Sequence, residues 1–282
     1  MVIGENLMTL AKSYNNIANK SKRLSVQISL TGLSFLVTSC DDKEVLFFFE
    51  KKFDSSLTPE ETLETIQQVI EKKQELATYS YDEVVLLYAT NLYTTVPTAL
   101  FDENKASDYL KFNSKILAND YISFDTIQSL DMVIVYVPFI NVNNYFFEKY
   151  GSFKYYHTST VLINTLVTSE KFSKEEKLYI HVQSNTFDCL AIQNGNLTLC
   201  NTFSYKTPED FIYYILFCME QLTLNPESTA VFLLGAISKE DELYDIAYKY
   251  IRNVSFISEI KSNINLGKNI SNHNHFVLKS SL

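Results

Sequence analysis

From Leu24 onward the chain alternates. Leu24, Val26, Ile28 and Leu30 are apolar, with Ser25, Gln27 and Ser29 between them. A period of two marks a strand with one face toward a core. Thr31-Gly32 predicts a tight turn and Leu33–Ser39 a second strand. Cys40-Asp41-Asp42-Lys43 is polar, and Glu44–Phe53 predicts a third strand. Three such runs joined by short turns form an antiparallel meander.

The period then changes. Thr58-Pro59-Glu60-Glu61 supplies a capping hydroxyl, a proline at the first helical position and a carboxylate at the third. The hydroxyl can accept an unpaired N–H, and Glu61 can reach back to the cap. Leu63, Ile66, Val69 and Ile70 form an apolar stripe, predicting a helix to about Leu76. Val84–Tyr88 is continuously apolar, as in a parallel strand buried on both faces. Further on, the pattern predicts a helix near Glu103–Lys111 and a buried strand at Met132–Val137, introduced by Asp131. A helix over Asn141–Tyr150 ends at Gly151, followed by a strand at Phe153–Tyr156 and a helix at Ser159–Val167.

The order then recurs. Leu178–Ser184, Phe187–Ile192 and Leu197–Phe203 predict a second meander, with Asn194-Gly195 as its hairpin turn. Asn-Gly suits a type I′ turn because both residues accept positive φ. Thr207-Pro208-Glu209-Asp210 repeats the earlier cap, and its helix carries Phe211, Ile215, Cys218 and Leu222. Ala230–Leu234 is the counterpart of Val84–Tyr88, and Ser238-Lys239-Glu240-Asp241 starts a helix to about Tyr250. A repeat this long points to internal duplication, with lobes at 1–157 and 158–282.

Composition narrows the function classes. The 282 residues are 46% hydrophobic and 20% charged, enough apolar material for a sizeable core. A net charge of −9 and a pI near 5.0 disfavour nucleic acid, whose affinity rests on Lys and Arg displacing counterions. The short basic spots at Lys20–Arg23, Glu71–Lys73 and Lys249–Arg252 form no stripe. Cys40, Cys189, Cys200 and Cys218 lack paired ligand spacing and read as free thiols in a reducing compartment. The start, MVIGENLMTLAKSYNN, lacks the pattern of a secretory signal, and the longest apolar run, Phe211–Met219, is too short to span a bilayer. A cytoplasmic protein without membrane insertion is expected.

The doubled element order resembles the actin-like ATPase superfamily, which includes actin, heat-shock chaperones, sugar kinases and pilus-assembly ATPases. The likeness runs from about Leu24 to Leu278. Met132–Phe139 resembles the chaperones' connecting strand, which ends in Val-Pro. Ile180–Asp188 lies over their second phosphate loop, and Ala230–Ala236 resembles the adenosine motif, a strand ending in Gly-Gly. The whole is also similar to an uncharacterised bacteroidete family of about this length, known only as actin-like in fold. The resemblance implies an α/β fold of two ribonuclease H-like lobes, each a mixed five-stranded sheet flanked by helices.

It also implies an interlobe cleft at a vestigial nucleotide site, lined by Ser29, Thr31, Gly32, His181, Gln183, Ser184, Asn185, Thr186 and Gly235. Active relatives carry an aspartate where this chain has Ser29 and again where it has His181. Their second loop has glycines where this chain has Gln183, Ser184 and Asn185. A phosphate cradle needs converging N–H groups with no Cβ in the way, and Mg²⁺ prefers carboxylate oxygens. The expectation is a non-catalytic protein, a pseudo-ATPase that binds a protein partner or itself, with no metal and no cofactor. The alternatives are an atypical nucleotide-binding ATPase or kinase that retains ATP, and a cytoplasmic assembly platform like those of pilus systems. The loop residues equally suit ordinary hairpin turns.

Other groups read as structural. His181 suits a hydrogen-bonded core histidine, and His273-Asn274-His275 a solvated tail or strand edge. Asp131 and Asp188 suit turn or cap positions. The tyrosines at Tyr79–Tyr81, Tyr145–Tyr150 and Tyr155-Tyr156 are mostly core, with some exposed rings available to a protein partner.

Overall fold

Leu24, Val26 and Ile28 are fully buried on one face of β1 (Lys22–Ser29), and burying each such side chain contributes about 1.5–3 kcal/mol. This computed structural model describes residues 20–112, 114–117, 119–258, 264–267 and 270–281; the stretch read for a signal lies outside them. β1 pairs antiparallel with β2 (Gly32–Ser39), and β2 with β3 (Val45–Lys52).

The first cap forms as read. Thr58 Oγ1 accepts the Glu61 N–H at 3.2 Å, and Glu61 Oε2 accepts the Thr58 N–H at 2.8 Å, starting α1 (Pro59–Lys72). Such a cap stabilises by about 0.5–2 kcal/mol. The helix does not run unbroken to Leu76: Lys73 is extended, at φ −93° and ψ 110°, and a separate turn α2 (Gln74–Thr78) follows. Next comes β4 (Glu83–Tyr88), which lies parallel to β1.

An insertion follows that the sequence pattern showed only in part. β5 (Tyr93–Pro97), α3 (Ala106–Lys111), β6 (Ser123–Ile127) and β7 (Met132–Tyr136) build a small sheet in the order β5-β7-β6, antiparallel throughout. The strand likened to a connecting strand is therefore the centre of its own sheet. Its core is Val96, Leu110, Val133 and Val135. Asp131 enters β7 through a left-handed turn, at φ 48°. The chain then forms α4 (Ile140–Tyr150) and β8 (Lys154–His157), which pairs parallel with β4. The main sheet reads β3-β2-β1-β4-β8.

After α5 (Thr158–Glu170) the second meander comprises β9 (Glu176–Val182), β10 (Thr186–Gln193) and β11 (Asn196–Ser204). Asn194 and Gly195 take φ 52° and 76° in its hairpin. Only glycine fits the second place, since a Cβ would lie 2.7 Å from Lys171 O. The repeated capping box, Thr207 with Asp210, starts α6 (Pro208–Gln221). β12 (Ala230–Gly235), α7 (Glu242–Tyr250), β13 (Asn253–Phe256) and a short α8 (Phe276–Ser280) complete the order. This sheet reads β11-β10-β9-β12-β13, with the same strand directions as the first. Its core includes Ile180, Phe187, Phe211, Ile215 and Leu233. The chain divides into two compact units, 1–158 with 281–282, and 159–280. The fold is the α/β, actin-like class expected: two mixed five-stranded sheets with flanking helices.

Candidate functional site

Ser29, Thr31 and Gly32 belong to the first unit and close the β1–β2 hairpin. Ser29 Oγ donates to Gly32 O at 3.0 Å, accepts the Thr31 N–H at 3.2 Å and lies 3.2 Å from Thr31 Oγ1. Thr31 O accepts the Phe53 N–H at 3.0 Å, and Leu30 O the Leu57 N–H at 2.8 Å. No residue from 29 to 32 has positive φ. A phosphate nest turns successive N–H groups toward one anion; here the Thr31 N–H turns toward a serine of its own hairpin.

His181, Gln183, Ser184, Asn185, Thr186 and Gly235 belong to the second unit. Residues 183–185 join β9 to β10. The Gln183 N–H donates to Thr186 O at 2.9 Å, and the Asn185 O accepts the Tyr205 N–H at 3.1 Å. The Tyr205 hydroxyl donates to Gln183 O at 2.8 Å. Burial, helped by the charge of Asp241, raises the Tyr205 phenol above its ordinary pKa and keeps it a donor. Thr186 is buried and pairs with Ser204, while Ser184 and Asn185 are exposed. Residues 183–186 also lack positive φ. The loop is an ordinary hairpin closed on Tyr205.

Behind it lies a polar cluster. Asp188 sits mid-strand in β10, opposite His181 of β9 and Thr202 of β11. Its Oδ2 lies 3.0 Å from His181 Nδ1 and accepts from Gln183 Nε2 at 3.2 Å; its Oδ1 accepts from Thr202 Oγ1 at 2.6 Å. His181 and Asp188 are both buried. The histidine is the hydrogen-bonded core residue expected. Asp188 is neither turn nor cap: it ties three strands together. A general base needs a lone pair free for a substrate proton, and three of this carboxylate's roughly four acceptor sites are taken by its own sheet and the loop beside it.

Gly235 ends β12 opposite Val182, at φ 90°. A Cβ there would lie 2.3 Å from Val182 O and 3.0 Å from His181 Cδ2, so the position demands glycine. Its own polar groups are taken: the Gly235 N–H donates to His273 O at 2.9 Å, and its carbonyl accepts Asn274 Nδ2 at 2.7 Å. His273-Asn274-His275 is thus no solvated tail. His273 is buried, its Nε2 lies 2.7 Å from Ile237 O, and its ring stacks on Phe256 at 4.2 Å. Burial lowers its pKa.

His181, Gln183, Thr186 and Gly235 therefore gather at the end of β9, while Ser29, Thr31 and Gly32 form their own hairpin. Tyr205, which the sequence does not single out, completes the second-unit cluster with His273 and Asn274, whose place at Gly235 the tail reading misses. Their only signals are polar or aromatic side chains just past predicted elements. Among the described residues, no group of three or more His, Cys, Asp or Glu could hold a metal ion, and no helix is long and apolar enough to cross a membrane.

The chain is similar over 93% of its length, and 95% of the other chain, to a Bacteroides thetaiotaomicron VPI-5482 protein described as having an actin-like ATPase fold and unknown function. The TM-score is 0.78 at 24% identity. It is also similar, over 86% of its length and 89% of the other chain, to a chain of the PilM–PilN type IV pilus biogenesis complex. There the TM-score is 0.57 at 11% identity. Both likenesses show the fold. No curated protein matches in sequence. The family described as "Protein of unknown function (DUF3822)" matches residues 11–254, and the chain belongs to that family.

Proposed function

We propose that this protein is a cytoplasmic binding or assembly platform, a pseudo-ATPase that keeps the actin-like fold without hydrolysing nucleotide or needing Mg²⁺. One observation carries the reading: the polar groups at the three motif positions are occupied by the chain itself. Ser29 Oγ holds the Thr31 N–H, Tyr205 holds the 183–185 loop, and His273 with Asn274 holds both backbone groups of Gly235. Replacing these contacts by phosphate contacts would break satisfied, partly buried hydrogen bonds, at up to about 1–3 kcal/mol for each group left unpaired. Ser29 and His181 also supply no carboxylate where active relatives carry one. A protein partner is expected, and PilM, found in a pilus biogenesis complex with PilN, lends a precedent of the same fold.

Thermal melting with and without Mg·ATP, Mg·ADP and Mg·GTP tests this reading. A ligand at about 100 times its Kd adds roughly 2.7 kcal/mol and raises Tm by several degrees. The expected result is no shift with any of the three. A reproducible rise with one of them overturns the reading and makes the protein a nucleotide-binding member with atypical loops.

A further inference from the structure

Helix α6 has a counterpart in α1, and the two match residue for residue from Thr207-Pro208 and Thr58-Pro59. Both carry the same capping box. Both bury the same face: Ile66, Val69 and Ile70 in α1 correspond to Ile215, Cys218 and Met219 in α6. The outward faces differ. Where α1 has Glu64, Thr65 and Gln68, α6 has Tyr213, Tyr214 and Phe217. On the edge strand β11, Phe203 stands one residue before the strand's end, where the edge strand β3 has Lys51.

These four rings touch in series. Phe203 stacks on Tyr214 at 4.9 Å, Tyr214 meets Tyr213 at 5.3 Å, and Tyr213 stacks with Phe217 at 6.3 Å. Tyr213 is 62% and Phe217 43% exposed. Phe203 and Tyr214 are half-buried and also pack against the core, but at Tyr213 and Phe217 the fold does not require rings, because the same positions in α1 are polar. Contiguous exposed aromatic residues mark interaction surfaces, and Tyr and Phe are enriched at interface cores.

Charge selects the occupant. Glu209 lies one turn before Tyr213 and Glu220 about one turn after Phe217, both exposed, and α6 contains no Lys or Arg. The nearest cation in sequence, Lys206, precedes the cap. A second copy laid antiparallel on this stripe would set Glu220 of one helix against Glu209 and Asp210 of the other. Like charges so placed oppose association. We propose that Phe203, Tyr213, Tyr214 and Phe217, flanked by Glu209 and Glu220, form the docking face for a cationic amphipathic helix of a partner protein. Its apolar side covers the rings, and its Lys or Arg side chains meet the two glutamates. This names the partner chemistry for the platform reading and rests on it; the assay contains no nucleotide, so its failure and a nucleotide-shifted melt are told apart.

The probe is an amphipathic peptide of leucine and lysine, titrated with the full chain and read by fluorescence anisotropy. The native chain is expected to bind it. Tyr213→Glu combined with Phe217→Gln, which installs the residues of α1, should weaken binding by at least about tenfold, as for loss of an interface's central anchors. That double change adds negative charge, so mere attraction of a cationic peptide to an acidic protein would strengthen binding instead. Unchanged circular dichroism and melting certify the fold, and Tyr213→Ser with Phe217→Ser serves if the first variant unfolds. Glu209→Gln with Glu220→Gln should also weaken binding. Three results overturn the proposal: undiminished binding by the aromatic variants, equal binding of a leucine–glutamate peptide, or a dimer of the native chain in sedimentation that those variants abolish.

Discussion

His181 Nδ1 lies 3.0 Å from Asp188 Oδ2 across the pairing of β9 with β10. The same carboxylate accepts from Thr202 and Gln183, so one buried side chain binds the end of β9, the centre of β10 and the edge strand β11. The stretch likened to a phosphate loop is held by structural hydrogen bonds.

Asp188→Ala removes the acceptor from three side chains at once. A buried donor left unsatisfied costs about 1–3 kcal/mol; His181 is buried, while Gln183 and Thr202 are half-buried, so a loss of about 2–4 kcal/mol is expected in urea unfolding. Thr202→Val removes a single donor and should cost about 1 kcal/mol. If Asp188→Ala proved as stable as the native chain, the cluster would have no structural weight.

Gly235→Ala and Gly151→Ala separate steric from conformational strain. Both glycines have positive φ, at 90° and 75°. A methyl at Gly235 would lie 2.3 Å from Val182 O, whereas one at Gly151 meets nothing within 4 Å. The Gly151 change should cost about 1–3 kcal/mol for the backbone alone, since φ 75° with ψ −131° is a region that L residues rarely enter. At Gly235 the expected cost is larger, up to failure to fold, and comparative thermal melting reads the difference.

His273 gives the second unit a pH dependence of known sign. Burial lowers its pKa from the ordinary 6.5, and the nearby Lys279 charge acts in the same direction against the carbonyl of Ile237. A group depressed in the folded state binds more protons when unfolded, so stability rises with pH. Its contribution is complete above about 6.5 and is lost as pH falls through the folded-state value. His273→Phe should flatten the stability–pH curve between pH of about 5 and 7, measured by denaturant midpoints across that range.

Much of the fold was legible because it is local. Thr58-Pro59-Glu60-Glu61 and Thr207-Pro208-Glu209-Asp210 state their caps in four residues each, and both form. The meanders follow from alternation and short turns. The insertion was less legible. Tyr93–Pro97 is a short, mixed strand whose partner, Met132–Tyr136, is distant in sequence, and Ser123–Ile127, though close to that partner, is equally short and mixed. A buried apolar run looks the same whether its neighbours lie parallel or antiparallel.

At the candidate site, residue identity was legible. Ser29, His181 and Gln183–Asn185 stand where the resemblance expects aspartates and glycines, and side-chain identity alone says so. What those residues do instead was not legible. Counting back from the Asn194-Gly195 turn sets Asn201 opposite Asp188. A bulge at Ala191/Ile192 shifts the register by one and brings Thr202 there, and a one-residue slip exchanges the faces of a strand.

The sequence by itself determined the two meanders, the capped helices, their repetition and the absence of carboxylates at Ser29 and His181, because propensity, capping and residue identity are local properties. Tertiary structure alone decided that Asp188 joins three strands, that His273 and Asn274 occupy Gly235, and that four rings line up across α6 and β11. Those facts depend on register and on contacts between residues far apart in the chain, which only folding brings within reach.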